Sequence, residues 1–136
     1  MKKMDFWASV YCVLAGLCDG ITGLLLWVAP AATLKLMGVA TTPTEPVYMQ
    51  WIGAFVFSIG TSYLLPFLRR DPVARARALA GMLAVTTWVR VIIAVFSTVS
   101  ITTGSLDGSW WSVPMTDVTF AVIQLYLLRA GAFRRE

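Results

Sequence analysis

Three ionisable residues, Asp19, Arg90 and Asp117, lie inside long apolar stretches of the sequence. A charged group that has left water is costly unless an opposite charge contacts it, so these residues are expected to meet. Helical geometry places all three roughly 9–15 Å from the side of the membrane at which the first and third connections lie. The sequence therefore predicts that Arg90 forms an ion pair with Asp117, Asp19 or both. With both carboxylates ionised the cluster carries one net negative charge, which protonation of one aspartate cancels.

Two glutamines extend this polar set. Asp117 and Gln124 are seven residues apart and share one helix face, whereas Gln50 begins a face of small and polar residues in another stretch. We predict that Asp19, Gln50, Arg90, Asp117 and Gln124 form a buried polar cluster where a ligand can bind, in an interior that opens toward the outside. The alternative is purely structural, with ion pairs and interhelical hydrogen bonds that hold the helices together.

The sequence contains no histidine, and this absence limits the chemistry of the chain. Haem, pigments and most zinc or copper sites depend on imidazole ligands, so we expect neither a cofactor nor a metal. A Ser/His/Asp triad is impossible and no glycine-rich phosphate loop occurs, so we assign no catalytic residue and expect no enzymatic activity. Cys12 and Cys18 are six residues apart and point to different sides of a helix, which argues against a disulfide between them.

The elements that must position these residues are four apolar stretches, at about 6–28, 47–68, 76–100 and 110–128. The chain of 136 residues is 58% hydrophobic and 13% charged, with a mean hydropathy of +0.74. A typical soluble domain is about 25% charged. Each stretch has close to the ~20 residues that a helix needs to cross a bilayer. Within lipid, a single segment can satisfy the hydrogen bonds of all its backbone groups only as a helix. We predict an all-α, single-domain protein: a bundle of four transmembrane helices with up-down-up-down topology.

Prolines and capping residues separate these stretches. Pro30 closes the first, Pro46 is placed to begin the second, and Asp71 is a helix cap followed by the first-turn Pro72. Between the first two stretches, residues 33–37 followed by Gly38 indicate a short helical turn lying on the membrane surface.

The basic residues are distributed unevenly between the connections, which predicts the orientation of the bundle. Nine of the eleven lie at the termini or in the middle connection, one is Lys35 in the first connection and one is Arg90. The positive-inside rule then places both termini in the cytoplasm. The net charge of +4 does not indicate nucleic acid, because these residues form no stripe and sit at helix ends beside a lipid surface. The nine are Lys2, Lys3, Arg69, Arg70, Arg75, Arg77, Arg129, Arg134 and Arg135.

Several residues spread over most of the chain resemble the DoxX-like superfamily of small four-helix bacterial membrane proteins. The resemblance implies a multi-pass protein of the bacterial cytoplasmic (inner) membrane. Some members are linked by name to quinone or thiosulfate oxidation, as subunits. Where such proteins often carry a basic residue at the start of the second helix, this chain has Gln50, so a shared anion-binding role is not carried over. The matching residues are Pro30, Leu34, Gly38, Gly53, Gly60, Arg90, Asp107, Gly108 and Asp117.

Three functions remain open from the sequence. The first is a non-catalytic membrane subunit or scaffold of a larger bacterial assembly, in which the partners are lipid and other membrane subunits or further copies of the chain. The second is a binder of a quinone, lipid or other small amphipathic molecule in an outward-facing polar cavity. The third is a minimal proton-coupled transporter that uses Asp19 as its membrane carboxylate.

Overall fold

The computed structural model describes residues 3–133, whose regular secondary structure is helical, with no strand in that range. Lys2, Arg134 and Arg135, which contribute to the predicted charge asymmetry, lie outside the described residues. The five α-helices are α1 (Lys3–Val28), α2 (Pro30–Leu36), α3 (Pro46–Ser62), α4 (Pro72–Thr102) and α5 (Ser112–Arg129). Two short 3-10 turns, Leu65–Leu68 and Gly108–Trp111, follow α3 and precede α5.

Four helical segments are long and apolar enough to cross a membrane, which confirms the predicted number. They are Lys3–Val28, Pro46–Leu68, Pro72–Thr102 and Gly108–Arg129, with 22–31 residues each. These lengths exceed the ~20 residues that the hydrocarbon core requires. Many of their large apolar side chains are exposed, including Trp51, Trp88 and Phe96, as lipid-facing side chains are. The largest difference from the predicted bounds is α4, which extends beyond 76–100 at both ends.

The predicted helix starts are confirmed at α3 and α4. Pro46 is the first residue of α3, where its missing N–H costs no hydrogen bond. The Asp71 carboxylate accepts hydrogen bonds from Ala74 N at 2.7 Å and Val73 N at 3.4 Å, so it satisfies two free amides at the start of α4.

The connection between α1 and α3 contains more helix than the predicted turn at residues 33–37. Helix α2 already begins at Pro30, directly after α1 ends, and Gly38 has a φ of +80° just beyond it. Leu34 of α2 is buried in an apolar cluster with Leu26 and Met49. Helix α2 therefore covers the adjoining ends of α1 and α3.

Helices α1 and α3 are in backbone contact along glycines that are seven residues apart on each helix, Gly16 and Gly23 on α1 and Gly53 and Gly60 on α3. A Cβ atom on Gly23 would lie 2.2 Å from the backbone nitrogen of Phe57. A side chain of any size is excluded there, because real Cβ contacts are far longer. The order of contacts is reversed between the helices, since Gly23 meets Gly53 whereas Gly16 meets Gly60.

The two ends of the described chain contact each other. The Asp5 carboxylate accepts a hydrogen bond from the Phe133 backbone amide at 3.0 Å, and both residues are buried. The chain reaches this position through left-handed conformations at Gly131 and Phe133. A second long-range bond, from Ala40 N to Ser109 Oγ at 3.0 Å, connects the segment after α2 to the turn before α5.

Candidate functional site

Arg90 faces inward from the middle of α4. Thr86, Ala94 and Ser97 lie on the same helical face and are buried, whereas Trp88 on another face is 66% exposed. This pattern follows the 3.6-residue period of a helix, in which positions three, four and seven apart share one side. The sequence of α4 therefore points the guanidinium into the protein and the tryptophan outward.

The Arg90 guanidinium contacts both aspartates, so both predicted ion pairs are present. Nη1 donates to Asp117 Oδ1 on α5 at 2.7 Å, and Nη2 donates to Asp19 Oδ2 on α1. Side-chain exposure is 7% for Arg90, 14% for Asp19 and 15% for Asp117. One cation therefore joins three helices, and each carboxylate uses only one of its oxygens for this purpose.

Two further features surround the guanidinium. Its Cζ atom lies 4.5 Å from the centroid of the Phe120 ring, a distance at which the ring face stabilises a cation. Its Nε atom is buried and has no hydrogen-bond partner among the described residues. The charge of Arg90 is thus balanced by two carboxylates and an aromatic ring, while one of its donors remains unused.

A second polar network lies beside the first, and Gln124 is its centre. The Gln124 Nε2 atom donates to the Tyr63 hydroxyl at 2.5 Å, and its Oε1 atom accepts from the Thr87 hydroxyl at 2.9 Å. All three residues are buried. The network connects α5 to α4 and to the residue that follows α3, so Gln124 makes the interhelical hydrogen bonds expected of an amide in this environment.

Gln50 is separate from the other four residues of the predicted set. On α3 it is Gly60 that contacts the backbone of Asp19 and Gly20, and Gln50 is ten residues away from Gly60. That separation is roughly 15 Å along the helix axis. The structure therefore brings Asp19, Arg90, Asp117 and Gln124 into neighbouring networks and leaves Gln50 near the other end of α3.

Three polar residues of the interior were not singled out from the sequence. Tyr63 and Thr87 complete the Gln124 network, and Asp5 binds the Phe133 amide. The sequence contained a signal for Tyr63, because a buried tyrosine hydroxyl generally requires a partner and Gln124 was already assigned to the interior. Asp5 lies in the first turn of α1, where an acidic residue is ordinary for a helix start and gave no reason to expect burial.

The ion cluster is suited to holding charge rather than to covalent chemistry. No group of three or more histidine, cysteine or acidic residues that could hold a metal ion occurs within residues 3–133. Arg90 occupies the space between the two carboxylates, where a metal cation would otherwise sit. Cys12 is buried and Cys18 is exposed, and both thiols are free, as expected for cysteines on different sides of α1.

A cavity of about 340 Å³ lies elsewhere, beside the contact between the two ends of the described chain. Its lining is mostly apolar, with Phe67, Leu79 and Phe133, and also includes Asp5 and Arg75. The Arg75 guanidinium donates two hydrogen bonds to the Arg69 carbonyl, at 2.7 and 3.1 Å, which fixes it at the rim of this cavity. None of the residues of the ion cluster lines it.

The chain is a helical protein with four segments able to span a membrane and a charged cluster between them. No protein-family model, curated protein or solved structure matches the chain.

Proposed function

We propose that the chain is a multi-pass protein of the bacterial inner membrane. In this proposal its four spans form an up-down-up-down bundle with both termini in the cytoplasm. Two long-range contacts support the topology: Asp5 with Phe133 joins the two chain ends, and Ala40 with Ser109 joins the first and third connections. In an up-down-up-down bundle the two chain ends lie at one end of the bundle, and the first and third connections lie together at the other end. The concentration of arginines in the middle connection supports the orientation.

Cysteine labelling in intact cells tests this orientation. In a background with Cys12→Ala and Cys18→Ala, single cysteines are introduced as Thr42→Cys in the first connection and Arg70→Cys in the middle connection, both exposed positions. A membrane-impermeant maleimide is expected to label Thr42→Cys in intact cells and Arg70→Cys only after the cells are opened. The reverse pattern rules out cytoplasmic termini.

We further propose that the protein is a non-catalytic, DoxX-like membrane subunit that acts as a scaffold within a larger assembly. One observation carries this proposal: the interior polar groups are engaged mainly with one another, while the outward faces are apolar. Asp19 and Asp117 are bound to Arg90, and Gln124 is bound to Tyr63 and Thr87. Such an arrangement holds the helices together on the inside and leaves a broad apolar surface on the outside for lipid or neighbouring subunits.

Purification from native membranes tests the scaffold proposal. Extraction in a mild detergent, followed by native mass measurement, is expected to give a complex heavier than one copy of the 14.9 kDa chain. The same preparation in a harsh detergent serves as the control that reveals the monomer mass. A stable monomer in the mild detergent, with no co-purifying partner, contradicts the proposal.

A further inference from the structure

The charges of the ion cluster do not balance when both aspartates are ionised, because two carboxylates then face one guanidinium within the membrane-spanning part of the chain. We propose that Asp19 and Asp117 share one bound proton, so that the cluster is a neutral proton-binding site. The inference concerns the cluster alone and holds whichever assembly the protein belongs to.

Arg90 cannot supply the balance by losing its own proton. A guanidinium stays protonated in proteins, and the Phe120 ring at 4.5 Å favours its charged form. Any adjustment of charge therefore falls on the carboxylates. A cluster left at one net negative charge in an apolar surrounding is disfavoured, and the two acids repel each other across the shared cation.

Within residues 3–133, the groups around the cluster add no second cation. Tyr11 and Cys18 lie near it on α1, Tyr63 lies near it after α3, and Thr86 and Gln124 lie beside Tyr63 on α4 and α5. All are uncharged in their ordinary protonated forms, and any ionisation of the tyrosines or the thiol would add negative charge. The excess negative charge is therefore left for a proton to neutralise.

The geometry leaves a place for that proton. Arg90 binds one oxygen of each carboxylate, so Asp19 Oδ1 and Asp117 Oδ2 have no hydrogen-bond donor among residues 3–133. The Arg90 Nε atom is also unpartnered among these residues, in a residue only 6% exposed. Both aspartate side chains remain partly exposed, at 14% and 15%, so the cluster is not sealed from proton exchange.

Binding is a simple protonation. One free carboxylate oxygen takes up a proton and forms an O–H bond, the other oxygen of that group still accepts from Arg90, and the cluster charge changes from −1 to zero. No bond to carbon is made or broken, and no other reactant is required. The proton can reside on either aspartate, since both have the same relation to Arg90.

Infrared spectroscopy of the full-length protein in lipid nanodiscs at neutral pH tests the proposal. Carbon-13 labelling of aspartate identifies the carbonyl band of a protonated aspartate. We expect one such band in the original protein and its loss in Asp19→Asn and in Asp117→Asn, because each variant leaves one acid opposite one guanidinium. In Arg90→Gln both acids lack a counter-charge, so the band area should rise roughly twofold. Asp5→Asn, at the buried acid outside the cluster, is the matched control and should keep the band.

Two results overturn the proposal. A spectrum of the original protein without a protonated-aspartate band means that both acids are ionised. A band that survives in either Asp19→Asn or Asp117→Asn means that the remaining acid is protonated for a reason of its own and that no proton is shared. These two conservative variants decide the question even if Arg90→Gln fails to fold.

Discussion

Gln124 uses both ends of its amide group for partners on other parts of the chain, and this is how the interior accommodates a polar side chain. Its nitrogen donates to Tyr63 and its oxygen accepts from Thr87. In lipid no water replaces a lost partner, although hydrogen bonds between membrane helices measure only about 0.6 kcal/mol on average and up to about 1.7 kcal/mol. The network is therefore expected to contribute modestly to stability and more strongly to the choice of helix register.

Removing the Tyr63 hydroxyl tests this network. Tyr63→Phe leaves the ring in place and the Gln124 Nε2 atom without its acceptor at 2.5 Å. We expect the free energy of unfolding in detergent to fall by about 0.6–1.7 kcal/mol. The control is Tyr126→Phe, at a tyrosine that is 63% exposed, where the change should stay within about 0.5 kcal/mol. Equal effects of the two substitutions would show that the Tyr63 hydroxyl has no special role.

At this scale the sequence predicted the charged residues better than the neutral ones. Asp19, Arg90 and Asp117 could be paired from their depths, because a charge in an apolar stretch has few alternatives to an opposite charge. Thr87 could not be assigned, because a threonine hydroxyl can also bind the backbone of its own helix, as Thr86 does with the Met82 carbonyl. Tyr63 was missed although a buried tyrosine hydroxyl generally requires a partner. Gln50 has a face that matches the others, but its depth on α3 separates it from Asp19.

At the scale of helices, the closest packing is the contact between α1 and α3. Gly16 and Gly23 of α1 approach Gly53 and Gly60 of α3 so closely that backbone atoms touch. Association of membrane helices depends on such close packing, because lipid tails are as apolar as the helix side chains. The two helices therefore form one firmly packed pair.

A methyl group at the centre of this contact should separate the pair. Gly23→Ala places a Cβ 2.2 Å from the Phe57 nitrogen, which cannot move without shifting α3. We expect a loss of about 1–3 kcal/mol in the free energy of unfolding, the usual cost of overpacking. Gly20→Ala is the matched control on the same helix, because nothing lies within 4 Å of its added Cβ. Its effect should be neutral or stabilising by up to about 1 kcal/mol, and a Gly23→Ala protein as stable as this control would contradict the packing described here.

The sequence predicted the helices themselves but not their neighbours. Apolar length and the capping residues Pro46 and Asp71 indicated where spans begin, since these signals are local to each helix. The face of small and polar residues that begins at Gln50 on α3 was visible as well, yet no local signal says that α1 rather than α4 or α5 covers it. Helix α2 was underestimated because Pro30, its first residue, was interpreted as the end of the first stretch rather than as the start of a new helix.

At the scale of the whole molecule, the ion cluster is one of several links between two halves, beside a shared apolar core and the hydrogen bond from Gln124 to Tyr63. Helices α1 and α3 pack as one pair and α4 and α5 as another, and Arg90 of the second pair reaches Asp19 of the first. The same guanidinium binds Asp117 within its own pair. A buried ion pair adds little net stability over apolar packing, but loss of one partner is severe because the other charge remains unpaired. The bridge that Arg90 forms between Asp19 and Asp117 is thus expected to fix how the halves meet rather than to add greatly to stability.

The bridge is tested most directly by a cycle of substitutions measured as free energies of unfolding in nanodiscs. Arg90→Met keeps the side-chain volume but removes the counter-charge of both acids, which must then stay unpaired or take up protons, and should cost about 3–5 kcal/mol. Adding Asp19→Asn and Asp117→Asn to Arg90→Met removes those acids and should restore part of the loss, with a coupling of about 0.5–3 kcal/mol. The control, Arg77→Met at an exposed arginine of α4, should change stability by no more than about 0.5 kcal/mol. If the losses of the separate substitutions simply add, Arg90 does not join the two halves through these aspartates.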